Sequence, residues 1–246
     1  MADANAKIDI SRILNNTIGV IGRHPFIYLG LSLLIVGIPN ALLETMQGGP
    51  MTDSGNFGFS ASYSAQGFGF IALMVLSIIA QATLIVATIN DLGGKPVSMG
   101  ECFSKAVNKF LPLLGLGIIV AIGVGLGFLL LIVPGVILIL MWFVATPVMM
   151  AEDKGVFDSL SRSAELTSGS KGTLFILAII FFVIAMIIGV LLTMFGSMGT
   201  VVLGLFTMLT NTITGALQGA GVASAYVELR AVKEGTDTET LADVFA

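Results

Sequence analysis

Residues 110–151 read FLPLLGLGIIVAIGVGLGFLLLIVPGVILILMWFVATPVMMA, without a single charged side chain. A helix crosses about 30 Å of hydrocarbon in about 20 residues. One unbroken helix over this run would be roughly 60 Å long at 1.5 Å per residue, about twice the membrane. Pro134-Gly135 lies near the middle, where a tight turn can form. The run therefore reads as two spans, about 111–132 and 135–151.

The same logic extends outward. Residues 26–46 and 68–90 each form one apolar run of spanning length. The run 172–226 is too long for one span, and Gly196-Ser197-Met198-Gly199 divides it into 172–195 and 201–226. Six spans result. The predicted fold class is all-α, a polytopic membrane protein. Strands of a membrane barrel alternate over about 10 residues, whereas these runs are continuously apolar over about 20.

Composition agrees. Of 246 residues, 56% are hydrophobic and 11% charged, with a mean hydropathy of +1.01. Soluble domains carry about 25% charged residues. Too little polar surface remains here to cover a soluble core. The polar, mixed-charge start lacks the basic-then-apolar layout of a signal peptide, so targeting falls to the first span. Scattered basic residues give no nucleic-acid footprint. The single Cys102 excludes an intramolecular disulfide and a cysteine-based metal site.

Charge tests the span count independently. Cytoplasmic flanks are enriched in Lys and Arg. With six spans, one side holds Lys7, Arg12 and Arg23, then Lys95, Lys105 and Lys109, then Lys154, Arg162 and Lys171, then Arg230 and Lys233: all 11 basic residues. The other side holds the loop 47–67 and two tight turns, with none. This places both termini in the cytoplasm. The 47–67 loop is rich in Gly and Ser and carries Phe57, Phe59 and Tyr63, which suits either aromatics resting at the outer interface or a mobile loop.

The segments between spans follow a pattern. Met99, Cys102, Phe103, Ala106, Val107 and Phe110 recur at helical spacing, opposite Glu101, Lys105, Asn108 and Lys109. Ile10, Ile13, Leu14, Ile18 and Ile21 do the same, as do Val156, Phe157, Leu160 and Ala164. Each segment holds an apolar–Ser–basic triplet: Ile10-Ser11-Arg12, Phe103-Ser104-Lys105 and Leu160-Ser161-Arg162. The chain thus reads as one membrane domain of three units, about 8–95, 99–153 and 155–232, with a polar tail over 233–246. Each unit is a cytoplasmic amphipathic helix and a helical hairpin, repeated in parallel. Two compatible roles follow for these helices. They lie in the inner interface with Arg12, Lys105 and Arg162 toward lipid phosphates, or they pack as connectors beneath the bundle.

Small residues mark close helix approach in lipid. Gly117, Ala121 and Gly125 form one stripe, Gly123 and Gly127 another, and Gly215, Gly219 and Ala223 a third. Spans three and six are the expected central, tightly packed helices, with that packing either within the chain or between copies of it. Polar residues at membrane depth are few: Gln81, Thr146, Thr210, Asn211, Thr214 and Gln218. Asn211, Thr214 and Gln218 share one face and, with Gln81, are candidates for a polar cavity; hydrogen bonding between helices is the alternative.

Catalytic chemistry finds no foothold. His24, the only histidine, sits beside Arg23 and Pro25 and reads as interfacial. No nucleophile elbow, phosphate loop or metal cluster is present, and no cofactor is expected. Glu152 and Asp153 read as a cap and charge partner for the helix that follows.

The stretch from Pro134-Gly135-Val136 to Pro147, then Glu152-Asp153-Lys154-Gly155-Val156-Phe157-Asp158-Ser159-Leu160-Ser161-Arg162-Ser163-Ala164-Glu165-Leu166-Thr167, resembles a bacterial membrane superfamily. That superfamily contains the YciC-like proteins and the membrane domain of glycerophosphoryl diester phosphodiesterases. Its members share a Pro-Gly turn, a span ending in an acidic residue, a glycine, an apolar–Leu–basic–Ser helix and a further hairpin. The closest match covers residues 130–190. In the phosphodiesterases this domain accompanies a separate catalytic barrel, for which this chain has neither room nor residues, so no activity carries over. The resulting expectation is a non-enzymatic scaffold, accessory subunit or lipid-interacting module, with transport of a small or lipidic solute as the alternative. Expected partners are membrane lipids, with a membrane-protein partner or a second copy of the chain as further possibilities.

Overall fold

The computed structural model describes residues 8–38, 61–195 and 200–234, and every element among them is helical. In chain order these are α1 (Ile10–Arg23), α2 (Pro25–Ser32) with a π-helical continuation (Leu33–Gly37), and α3 (Ala61–Leu92). Then come α4 (Met99–Asn108), α5 (Phe110–Leu130), α6 (Ile132–Met141), α7 (Ala145–Ala151), α8 (Val156–Thr167), α9 (Lys171–Phe195) and α10 (Thr200–Glu234). The distal half of the first expected span, the aromatics Phe57 and Phe59, the turn 196–199 and the tail 235–246 lie outside the described residues.

Four stretches are long and apolar enough to cross a membrane: Met74–Leu92, Phe110–Leu130, Ile132–Ala151 and Lys171–Ile188. The pair Ile10–Arg23 and Pro25–Gly37 makes a fifth if taken as one broken span. These two segments meet at 91°. Pro25 explains the corner, because proline offers no N–H and pushes the preceding residue out of the helical region. His24 accordingly sits at φ −130° and ψ 55°. At the other end of α1, the Asp9 carboxylate accepts the Ser11 amide at 2.8 Å.

The break between α5 and α6 falls at Leu131, which is extended, three residues before the expected Pro-Gly turn. Proline is tolerated in the first turn of a helix, where its missing N–H costs nothing. Pro134 therefore starts α6 rather than ending α5. Gly135 serves the hairpin differently. A Cβ on Gly127 would lie 2.9 Å from the Gly135 Cα, so these two glycines let the helices touch.

The fourth span is not one helix. It breaks at Trp142–Val144 and resumes as α7, with Pro147 in the new first turn. At the break the Ala145 amide bonds the Trp142 carbonyl and leaves the Met141 carbonyl without its helical partner. Ser163 Oγ donates to that carbonyl at 2.8 Å and Thr167 Oγ1 at 3.3 Å. A buried bend of this kind persists only where the freed carbonyl is satisfied.

Helix α10 is the centre of the bundle. It touches α1, α2 with its π segment, α3 and α9. Its buried face is built from Gly215, Ala216, Gly219, Ala220 and Ala223, continuing to Tyr226 and Leu229. A Cβ on Gly219 would lie 2.7 Å from the Leu84 Cβ. One on Gly37 would lie 2.9 Å from the Met208 carbonyl. Tyr28 is fully buried and shares a 2.9 Å hydrogen bond with Thr88, tying α2 to α3.

Of the two helices expected to be tightly packed, α10 packs within the chain through Gly215 and Gly219, whereas the Gly117 stripe of α5 does not. Gly117, Ala121 and Gly125 are exposed on the outer side of α5, and the two glycines have no atom within 4 Å of a built Cβ. The other stripe of α5 makes the contacts: Gly123 faces the Trp142 ring and Gly127 faces Gly135. Helix α10 pairs with α3 instead. The reason is steric. Trp142 and the α5–α6 hairpin occupy one face of α5, and the remaining face is left outward.

Candidate functional site

The charged residues collect at one end of the bundle, where α3 and α7 end, α5 begins and α10 runs out. Four ion-pair groups join these ends. Arg12 Nη1 lies 3.4 Å from Glu228 Oε1, and Glu228 is only 3% exposed. Arg23 and His24 both reach Asp91, His24 at 3.2 Å. Lys109 pairs with Asp153 at 2.5 Å and also donates to the Met149 carbonyl at 3.2 Å. The fourth group centres on Glu152.

Glu152 accepts the Tyr226 hydroxyl at 3.0 Å, while Lys154 and Arg162 stand 3.0 and 3.4 Å from its other oxygen. Arg162 also pairs with Glu165 at 3.0 Å and with Glu234, which Arg230 holds from its own helix at 2.7 Å. Burial pushes the Glu152 carboxyl up. The bonds from Lys154 and Tyr226 and the Arg162 charge more than offset this, leaving it below its ordinary value. Asp153 is also held low, by the Lys109 bond and the Lys105 charge.

This arrangement changes the reading of Asp153. It does not cap α8, whose N-cap is Gly155 with no side-chain bond. Instead it follows the end of α7 at φ 53°, a left-handed conformation that aspartate tolerates better than most side chains. From there its carboxylate reaches Lys109.

The three triplet cations have different fates. Arg12 and Arg162 are committed to internal carboxylates. Lys105 has no carboxylate within ion-pair distance among the described residues and lines a cavity of about 250 Å³. Val86, Ile89, Leu92, Met150 and Val227 give that cavity an apolar wall, and Lys95, Lys105, Tyr226, Arg230 and Asn90 give it a polar one.

The polar residues expected at mid-membrane do not meet there. Gln218 is exposed and Asn211 and Thr214 are half-buried. Thr214 Oγ1 turns back onto the Thr210 carbonyl of its own helix at 2.7 Å. Gln81 lies beside Gly219 on the α3–α10 contact and makes no hydrogen bond to the other three among the described residues. None of the four lines the cavity.

Sequence reasoning missed Ser163 and Thr167 as carbonyl partners and Tyr226 as a partner of Glu152. A pattern was present: both hydroxyls lie on the face of α8 that also carries Leu160 and Leu166, one turn apart. The chain matches no family profile, no curated protein and no solved structure.

Proposed function

We infer that the chain is a six-span protein of the bacterial cytoplasmic membrane, both ends inside, that works by binding rather than catalysis. It serves as a scaffold, an accessory subunit or a lipid-interacting module. The observation that carries this reading is the division of the surface. Leu111, Ile118, Ile122, Leu126 and Leu129 of α5 face outward, as do Ile176, Ile179, Phe182 and Met186 of α9. The cations gather at one end. Outward apolar helices suit lipid, and a basic end suits the cytoplasmic leaflet.

In this reading α10, 35 residues long, is the sixth span and extends past the membrane at its charged end. Its threonines and Asn211 dilute its apolar character because it lies inside the bundle. Element order supports two of the three units, since α4 and α8 each precede a longer apolar helix, α5 and α9. The resemblance to the phosphodiesterase membrane domain points the same way, toward a membrane module that acts with something else. No observation favours a solute path.

Purification in native lipid, with quantified co-purifying lipids and proteins, tests this. A stoichiometric partner or a lipid enriched over the bulk membrane supports the reading. Bulk lipid alone, together with solute flux in proteoliposomes that Asn211→Leu plus Gln218→Leu abolishes, overturns it in favour of transport.

A further inference from the structure

We propose that the cavity between α3, α4, α7 and α10 holds the phosphate head of an anionic membrane phospholipid. This rests on the lipid-interacting reading above and gives that reading a site.

The cavity brings together residues far apart in sequence. Lys95 follows the end of α3, Lys105 comes from α4 and Arg230 from the last turns of α10. Three cations therefore line one space of about 250 Å³, with Arg230 also paired to Glu234. At about 30 Å³ per water, that space equals roughly eight waters, room for a phosphate with its glycerol but not for a whole lipid.

Glu101, one turn before Lys105 on α4, is exposed and does not line the cavity, and three other neighbouring acids are already engaged. Glu152 is held by Tyr226, Lys154 and Arg162, Asp153 by Lys109, and Glu234 by Arg162 and Arg230. Helix ends at the cavity would disfavour an anion if their carbonyls were bare. They are not bare: the Gly93 and Lys95 amides close the end of α3, and Lys109 bonds the Met149 carbonyl of α7. Among the described residues Lys105 makes no ion pair, though its charge acts on Asp153, so it is the cation freest to turn to a ligand.

The apolar wall decides between phosphate sources. Val86, Ile89 and Leu92 run along α3, opposite Met150 and Val227. A free inorganic anion would leave that wall against water. An amphiphile covers it and places its phosphate on the cations. Basic pockets between membrane helices at the cytoplasmic side suit anionic head groups for this reason.

The test uses the full chain in detergent, with phosphatidylglycerol and phosphatidylcholine titrated separately and retained lipid counted by native mass spectrometry. The expected result is a preference for phosphatidylglycerol in the parent chain. Lys105→Gln lowers that preference about fivefold, Lys105→Arg retains it, and Lys171→Gln, which removes an equal charge outside the cavity, leaves it unchanged. Matched thermal unfolding of all variants guards against misfolding, and Lys95→Gln is the second variant if Lys105→Gln unfolds. Displacement of phosphatidylglycerol by millimolar inorganic phosphate would overturn the lipid assignment. Equal preference in the parent and Lys105→Gln would overturn the site, yet leave a lipid-interacting module standing if some lipid is still enriched.

Discussion

Substituting alanine at Gly219 and at Gly125 separates a packed helix crossing from a small-residue stripe that only resembles one. A Cβ at Gly219 would stand 2.7 Å from the Leu84 Cβ, 3.2 Å from its Cδ1 and 3.5 Å from Gln81 Oε1. Carbon atoms in contact prefer about 3.5–4.0 Å, so α3 and α10 must part by about 1 Å where they cross. The Leu84 Cβ is fixed to its backbone and cannot swing aside. Overpacking of this size costs about 1–3 kcal/mol, against about 0.8–1 kcal/mol gained by replacing glycine within a helix. Gly219→Ala should therefore lose up to about 2 kcal/mol. At about 2–4 °C per kcal/mol for a chain of this size, its Tm falls by up to roughly 8 °C. Gly125→Ala meets no atom within 4 Å and keeps only the helix gain, so its Tm rises by about 2 °C or more. Thermal unfolding in one detergent, followed by circular dichroism, measures both. Shifts in the same direction would refute the reasoning. Gly219→Leu should go further and disrupt the monodisperse size-exclusion profile.

Three further outcomes follow from the charged end and its neighbours. Ser163→Ala with Thr167→Val leaves the Met141 carbonyl buried and unpaired, at a cost of about 1–3 kcal/mol in the same unfolding assay; a neutral result would show that the bend needs no hydroxyl. The depressed Glu152 carboxyl contributes stability that is full above its unfolded value and lost as pH falls through its folded value. Stability should thus drop below about pH 4.3, and Glu152→Gln should flatten that drop. Cys102 is 1% exposed and burial pushes its thiol up, so maleimide should label it only on unfolding; rapid labelling of the folded chain would contradict its position under α3.

Long apolar runs were legible because lipid demands them at a fixed length. Breaks within runs were harder. Pro134 and Pro147 announce that something ends nearby, but proline fits a first helical turn, so each break falls upstream, at Leu131 and at Trp142–Val144. The packed glycines were ambiguous for another reason. Helix α5 carries small residues on two faces, and only the tertiary positions of Trp142 and Gly135 select Gly123 and Gly127 over Gly117 and Gly125. The candidate site was half legible. Arg12, Lys105 and Arg162 stood out by their shared triplet, but nothing local shows that Glu228, Glu152 and Glu234 neutralise two of them and leave the third at a cavity. Glu228 lies 216 residues from Arg12, and Glu234 lies 72 residues from Arg162.

The six-span arrangement with both ends inside is tested most directly by cysteine accessibility. In a Cys102→Ser background, single substitutions Ser54→Cys, Ser104→Cys, Ser161→Cys and Thr236→Cys would be treated in intact cells with a membrane-impermeant maleimide, before and after permeabilising the inner membrane. The account predicts that Ser54→Cys labels in intact cells and that the other three label only after permeabilisation. Labelling of Ser161→Cys or Thr236→Cys in intact cells would contradict it.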